Sequence, residues 1–120
     1  MSGPRAAKMA AAIQKELAIL LREEVKDPRF HAAGLVTVTQ VLLSPDLRVA
    51  TVLVSFAFGE DGVVESALRG LDRMSGFLRG EVGRRLGLKR SPELRFKHDR
   101  SAEHVAQIDR LLRGEEGPND

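Results

Sequence analysis

The feature that most constrains the fold is a glycine-broken, arginine-rich segment between Leu68 and Arg90. Apolar residues recur in it at spacings of three and four, which is the pattern of one buried helical face. Each interior glycine costs a helix roughly 1 kcal/mol relative to alanine. Four such glycines lie within this segment, namely Gly70, Gly76, Gly80 and Gly83. We therefore predict two short helices that meet at residues 74–76, with the break at Ser75–Gly76.

Positive charge is concentrated in the same part of the chain. Residues 69–100 contain ten Lys or Arg against four acids, a net charge of +6, although the whole chain carries only +2. Residues 1–68 have seven bases and eight acids, and residues 101–120 have two bases and five acids. A basic surface of this density favours a polyanionic ligand.

The composition narrows the class of protein. A chain of 120 residues with 42% hydrophobic and 30% charged content fits one globular domain. Without cysteine it has neither disulfides nor thiolate metal sites. Its five aromatics are all Phe, which argues against reading single strands mainly by base stacking. No apolar run approaches the roughly 20 residues of a membrane span, and the N-terminus lacks the apolar core of a signal peptide, so we expect a cytoplasmic protein.

Hydrophobic periodicity predicts the remaining elements. A first helix runs from about Ala6 to Lys26 and stops at Asp27-Pro28, since the residue before proline leaves the helical region. Gly87 is predicted to cap the last helix of the broken segment. Three strands and a terminal helix are also expected, at Leu35–Leu43, Arg48–Phe58, about Glu93–Lys97, and from Ser101 to Leu112.

The first strand changes phase along its length. Val36 and Val38 share one face, whereas Val41 and Leu43 fall on the other. Either both faces are partly covered, or a bulge near Thr39-Gln40 resets the register. In the second strand we predict one core face, formed by Ala50, Val52, Val54, Phe56 and Phe58.

The element order predicts an α+β fold, with a three-stranded mixed sheet and helices on one face. Two helices between two strands form the βααβ arrangement of a KH domain, and the additional N-terminal helix and strand fit its type II form. Residues 80–83 spell the G-x-x-G of a phosphate loop. We reject that interpretation because Glu81 would repel phosphate and Val82 lies on the apolar stripe.

Several motifs, in order, resemble the ribosome-binding factor A family over about residues 5–112. The residues that carry the resemblance are Lys26-Asp27-Pro28-Arg29, Val36-Thr37-Val38-Thr39, Leu43-Ser44-Pro45-Asp46-Leu47-Arg48, Ser75-Gly76-Phe77-Leu78-Arg79, Pro92-Glu93-Leu94-Arg95-Phe96 and Ile108-Asp109-Arg110-Leu111-Leu112. The resemblance implies a type II KH-like domain at residues 5–112, and we expect a disordered acidic tail at 113–120. It also implies an Ala-x-Gly kink in place of the G-x-x-G loop, which maps here onto 74–76 with Met74 replacing alanine.

The resemblance further implies a function. Such a protein binds the small (30S) ribosomal subunit during late maturation, is needed to process the 5′ end of the 16S rRNA precursor, and supports growth in the cold. It is a binding factor and not an enzyme. We expect a monomer that needs no cofactor or metal, contacts the 5′-terminal region of 16S rRNA and binds no membrane.

The candidate RNA-binding residues are the kink and the basic side chains that follow it. They are Ser75, Gly76, Arg79, Arg84, Arg85, Lys89 and Arg90. For each arginine or lysine the alternative is a solvated helix face, and Arg5, Lys8 and Lys15 could extend the patch.

Two other functions stay open. One is a generic KH-type protein that binds single-stranded nucleic acid. The other is a small hydrolase or nuclease, suggested by His98-Asp99 with Ser101, or by a metal on His98, Asp99 and His104. Triad residues within four positions do not easily adopt the geometry of a triad, so we disfavour the enzyme.

Overall fold

The computed structural model describes residues 3–23, 36–57, 61–101 and 111–112. The elements follow the predicted order, and the α+β class is confirmed. They are α1 (Pro4–Glu23), β1 (Val36–Leu43), β2 (Val49–Phe56), α2 (Asp61–Arg73), α3 (Ser75–Leu86) and β3 (Glu93–His98). A type II KH-like arrangement is compatible with this order.

The three strands form one mixed sheet in the order β1-β2-β3. The strands β1 and β2 are antiparallel, whereas β2 and β3 are parallel, with Val49 opposite Glu93. A parallel pair needs a crossover connection, and α2 and α3 supply it. The starts of β2 and β3 therefore lie side by side at one end of the sheet.

A β-bulge accounts for the phase change in β1. The register with β2 shifts between Val38 and Gln40, which leaves Thr39 as the extra residue. Val38, before the bulge, and Val41 and Leu43, after it, are all buried. The bulge thus keeps Val38, Val41 and Leu43 on one face, and the prediction of a bulge near Thr39-Gln40 is confirmed.

The core lies between this face of the sheet and the three helices. On β2, Ala50, Val52 and Val54 are fully buried, as predicted, and β3 adds Leu94 and Phe96. Each of the three helices contributes buried side chains, among them Ile13, Leu17, Leu71, Leu78 and Val82. Each such side chain stabilises the fold by about 1.5–3 kcal/mol when it is removed from water.

The break between α2 and α3 falls at Met74, so the predicted position at Ser75–Gly76 is wrong by one residue. The Met74 N–H is shared between the carbonyls of Gly70 and Leu71, both at 3.1 Å. Met74 has φ −90° and ψ −1°, a right-handed conformation that does not require glycine. Gly76 is helical, and a Cβ there would meet nothing within 4 Å. The break therefore does not depend on glycine.

The remaining sequence predictions concern the cap of α3, the terminal helix and the limits of the domain. Gly87 caps α3 in the left-handed conformation, with φ 64°, as predicted. Ser101, Leu111 and Leu112 are helical, consistent with the terminal helix. The first helix beyond Glu23, Phe58, the remainder of the terminal helix and the acidic tail lie outside the described residues. The domain boundaries at 5 and 112 stay a prediction.

Asp99 ties the end of β3 to both other strands. Its backbone N–H donates to the Val54 carbonyl at 2.7 Å, and its carboxylate accepts from the Thr39 hydroxyl on the bulge. The Ser101 hydroxyl and N–H also donate to this carboxylate. These bonds favour the ionised form, first that from the Ser101 hydroxyl and then that from Thr39, and lower the pKa of Asp99 to about 2.

We expect Asp99→Asn to lower the free energy of unfolding near neutral pH. A depressed pKa in the folded state means a stabilisation that is complete above the ordinary pKa of 3.8 and is lost as the pH falls toward about 2. Urea unfolding should therefore give a lower free energy of unfolding for Asp99→Asn than for the wild type near neutral pH. The difference should narrow as the pH falls over this range. Asp72→Asn changes an exposed aspartate of α2 and is the control, and a gap that does not vary with pH would contradict the assignment.

Two glycines of α3 should respond oppositely to alanine. At Gly80 a Cβ meets nothing within 4 Å, so Gly80→Ala should stabilise the protein by about 1 kcal/mol through helix propensity. At Gly83 a Cβ would lie 3.0 Å from the Ser91 Cβ, and two hydrogen bonds to Arg79 hold Ser91 in place. We expect Gly83→Ala to destabilise by about 1 kcal/mol. Thermal unfolding of both variants measures the contrast, and equal shifts would refute it.

Candidate nucleic-acid interface

The parallel register of β2 and β3 brings two connections together. The Glu93 N–H donates to the Arg48 carbonyl at 2.8 Å, just where both strands begin. The β1–β2 turn and the α3–β3 connection precede these two residues, so they meet at the same end of the sheet. The first turns of α1 approach them from the helical layer, and a cleft forms between the three segments.

This cleft, called here the basic cleft, has a volume of about 960 Å³. Its rim is exposed and mostly cationic, whereas its floor is apolar and half-buried. The rim cations are Arg5, Arg48, Arg79, Lys89 and Arg90, and the rim acids are Asp46 and Glu93. The apolar floor consists of Met9, Leu47, Val49 and Leu88, and Gly87 and Ser91 complete the lining. Five cations against two acids give the lining a net charge of +3.

A tight turn holds Arg48 at the rim. Leu47 has φ 62°, and it is the one described residue other than glycine with a positive φ. Its N–H donates to the Ser44 carbonyl at 2.9 Å, while the Ser44 hydroxyl and the Arg48 N–H both donate to Asp46 Oδ1. These bonds, that from Ser44 above all, hold the pKa of Asp46 below its ordinary value. The turn is therefore closed by backbone and side-chain hydrogen bonds together, and Leu47 takes the left-handed position that glycine usually occupies.

A reciprocal pair of hydrogen bonds fixes the opposite wall. Arg79 Nε donates to the Ser91 carbonyl at 2.9 Å, and Ser91 Oγ donates back to the Arg79 carbonyl at 2.8 Å. Gly83 permits this close approach, since a Cβ there would press on Ser91, whereas Gly80 faces open space. Gly83 thus permits close packing of α3 against the loop before β3.

The two acids of the basic cleft are already engaged by neighbours. Glu93 pairs with Arg95 at 2.9 Å, and the hydrogen bond from Arg95 lowers the pKa of Glu93. Asp46 accepts the bonds of its own turn and lies 4.0 Å from Arg48 Nε. By contrast, Arg5, Lys89 and Arg90 form no ion pair with any residue in the described ranges. The rim therefore has positive charge to offer a ligand.

Arg84 and Arg85 belong to a different surface. Arg84 pairs with Glu81 at 2.7 Å, while Arg85 lies 3.6 Å from Glu81 and 3.7 Å from Glu16 of α1. The bond from Arg84 is the main reason that the pKa of Glu81 is lowered. The Arg85 side chain keeps 27% of its surface exposed, against 67% for Arg84. Arg85 therefore joins α3 to α1, and Arg84 remains accessible beside it.

The structure divides the seven candidate residues into three groups. Arg79, Lys89 and Arg90 line the basic cleft, while Arg84 and Arg85 do not. Ser75 and Gly76 begin α3 and also lie outside the lining, and Ser75 Oγ donates to the Asp72 carbonyl at 2.8 Å. RNA contact by all seven stays a prediction.

Sequence reasoning missed three features, two of them in the basic cleft and one at the start of α3. Arg48 was assigned only to a strand, although its place directly after the turn was the available signal. Leu47 gave no signal, because a left-handed leucine is not expected from sequence. Phe77 exposes 54% of its surface, and its place off the apolar stripe of α3 could have indicated that. Of the three possible extensions of the patch, Arg5 lines the basic cleft, whereas Lys8 and Lys15 do not.

The residues that suggested an enzyme have other surroundings. The His98 ring packs 5.5 Å from the Phe56 ring, and the Asp99 carboxylate accepts bonds from Thr39 and Ser101. Within residues 3–23, 36–57 and 61–101, no three His, Asp or Glu side chains are grouped as metal ligands would be. His104 lies outside these ranges. None of the helices described is long and apolar enough to cross a membrane.

Comparisons with known proteins give consistent matches. The family model for ribosome-binding factor A matches residues 5–112. The ribosome-binding factor A of Natranaerobius thermophilus is 45% identical over 113 residues, which are 94% of this chain and 83% of that protein. The crystal structure of ribosome-binding factor A from Thermus thermophilus is 34% identical, with a TM-score of 0.68 over 80% of this chain and 97% of that one.

A further similar structure is a homology model of the Thermus thermophilus factor. It was fitted into the cryo-electron microscopy map of a complex between the 30S subunit and ribosome-binding factor A. It is 33% identical to this chain, with a TM-score of 0.66 over 81% of this chain and 97% of that one.

The ion pair between Arg85 and Glu16 should contribute to stability. We expect Arg85→Ala and Glu16→Ala each to lower the free energy of unfolding, with a coupling of about 0.5–1 kcal/mol in a double-mutant cycle. Urea unfolding of the two single variants and the double variant measures it. Arg84 with Glu16 is the matched control pair, because these two residues form no ion pair with each other. Equal coupling in both cycles would show that Arg85 does not join the helices.

Proposed function

Because the chain belongs to the ribosome-binding factor A family, we propose that it binds the small (30S) ribosomal subunit during late maturation. The observation that carries the proposal is its likeness, over most of both chains, to the Thermus thermophilus factor placed in a 30S complex. The charge of the chain supports it, since residues 69–100 hold ten bases and four acids and rRNA is a dense polyanion.

The mechanism that we propose is electrostatic docking on folded rRNA. Arginine and lysine side chains replace counterions on the phosphates, and the release of these ions favours binding. The recognition of folded RNA rests mainly on shape and backbone, because the deep major groove of A-form helices hides the base edges. The same contacts would hold immature rRNA in one arrangement while the 5′ end of the 16S precursor is processed.

This mechanism involves no chemical step by the protein. We propose a monomeric binding factor that works in the cytoplasm, where the subunits are assembled, and cuts no RNA itself. Its importance for growth in the cold follows from the same physics, since rRNA rearrangements slow on cooling and a factor that stabilises the correct arrangement then matters more.

A second candidate function is generic binding of single-stranded nucleic acid. The observation that favours it is Phe77, whose exposed ring beside the break at Met74 could stack on a base. Short unstructured oligonucleotides would then bind as tightly as subunits do. We prefer the first function, for which subunits should bind far more tightly than any oligonucleotide.

Co-sedimentation with small subunits over a series of salt concentrations tests the proposal. The binding constant should fall steeply with salt, and Lys89→Glu with Arg90→Glu should lower the affinity by at least about tenfold. The control is Arg22→Glu with Arg69→Glu, which changes the net charge equally at exposed positions outside the basic cleft.

A third variant, Arg84→Glu, probes the accessible arginine of α3. If the wild-type protein does not co-sediment with subunits at low salt, the proposed function is wrong. If the first variant and the control lose the same affinity, the function stands but the surface assignment fails.

A further inference from the structure

We propose that the basic cleft holds the sugar–phosphate backbone of an unpaired RNA segment, with Arg5 and Arg48 as phosphate ligands beside Arg79, Lys89 and Arg90. The proposal rests on the proposed function, because it takes the RNA to be part of the small subunit. It goes beyond that function in naming the kind of RNA, the place where it lies and two ligands outside the helical segment.

The first step is the charge that the rim leaves available. Both acids of the rim are occupied, Glu93 by Arg95, and Asp46 by the hydrogen bonds of its own turn and by Arg48 Nε at 4.0 Å. The terminal nitrogens of Arg48 form no hydrogen bond to Asp46, and the Arg48 side chain is 73% exposed. Arg79 uses Nε for the Ser91 carbonyl, and no described residue accepts from its terminal nitrogens. Guanidinium groups with open N–H donors are suited to paired contacts with phosphate oxygens.

The second step is the apolar floor. Met9, Leu47, Val49 and Leu88 are half-buried and lie between the cations. A duplex would present only charged phosphates and sugar edges here, and an apolar floor gives these groups no favourable contact. An unpaired nucleotide instead exposes a ribose and a base face, and both make favourable contacts with an apolar surface. The alternation of cations with aliphatic surface therefore favours a single strand.

The third step is rigidity, which reduces the entropy lost on binding. Arg48 follows a turn closed by the hydrogen bonds of Ser44 and Asp46, and Leu47 is held there in the left-handed conformation, which is sterically unfavourable for a residue with a Cβ. Arg79 and Ser91 lock the facing wall. Backbone strain retained beside a cleft is a feature of ligand-binding sites, where surrounding contacts maintain it.

An acidic peptide is the main competitor for such a surface. Its carboxylates stand on flexible side chains, so each contact immobilises an additional rotamer-rich group. A phosphodiester backbone has its charge on the chain itself, once per nucleotide, and places a base and a ribose between charges. RNA therefore matches both the rim and the floor, whereas an acidic peptide matches the rim alone.

The test is a titration of the isotope-labelled full chain, followed by the chemical shifts of its amides. The probes are a uridine octanucleotide, an RNA duplex of the same length and polyglutamate. We expect the octanucleotide to move amides at residues 47–49 and 88–91, and to bind more tightly than the other two probes.

Substitutions then test the two additional ligands. Arg48→Gln and Arg5→Gln should each lower the affinity for the octanucleotide by about fivefold. Each should also reduce the slope of log affinity against log salt concentration by about 0.7, the value for one phosphate contact on a single strand. The matched control is Arg22→Gln, an exposed arginine at the other end of α1, which should leave affinity and slope unchanged.

Each other outcome overturns the proposal. Equal binding of the duplex would refute the preference for an unpaired strand, and equal binding of polyglutamate would indicate a peptide site. Shifts confined to residues 74–77, or equal effects of Arg48→Gln and Arg22→Gln, would place the RNA elsewhere. Co-sedimentation separates the two proposals. Subunit binding without octanucleotide binding refutes the RNA assignment of the basic cleft and leaves the proposed function standing. Octanucleotide binding without subunit binding refutes the proposed function and, with it, the small subunit as the source of the RNA.

Discussion

The structure depends on the pairing of β2 with a strand on each side. Its antiparallel contact with β1 is made through a short turn, but its parallel contact with β3 requires a crossover, which α2 and α3 provide. Burial of Ala50, Val52 and Val54 under the helices fixes which face of the sheet is covered. A one-residue slip of β2 would turn these three side chains outward, so the register and the core specify each other.

The basic cleft is a consequence of this topology. Parallel strands begin at the same end of a sheet, so the segments that precede β2 and β3 must approach each other there. The bond from the Glu93 N–H to the Arg48 carbonyl marks the meeting point. Cations that are far apart in sequence, such as Arg48 and Lys89, thereby line one cavity. On the other side of α3, Arg85 serves the attachment to α1, although in sequence it is part of the same basic run.

Much of the fold was predictable because its signals are local. The alternation in β2, the phase change at Thr39 and the left-handed cap at Gly87 each follow from neighbouring residues, and the structure confirms all three. The predicted position of the helix break was less accurate, since the energetic cost of glycine in a helix pointed to Ser75–Gly76, whereas α2 ends at Arg73 and α3 begins at Ser75. The candidate site was predictable only as a charged run, because charge in sequence does not reveal which cations meet in a cleft or pair with an acid on another element, as Arg85 does with Glu16.

The sequence by itself determined the element order, the mixed sheet with one apolar face, the concentration of positive charge in residues 69–100 and the resemblance to one family. These properties follow from periodicity, glycine placement and composition, which act over a few residues. Only the tertiary structure decided that Arg79, Lys89 and Arg90 share a cleft with Arg5 and Arg48, while Arg85 pairs with Glu16 of α1. The physical reason is that the cleft and this ion pair are formed by residues distant in sequence. The register of β2 with β3 brings the segments that line the cleft to one end of the sheet.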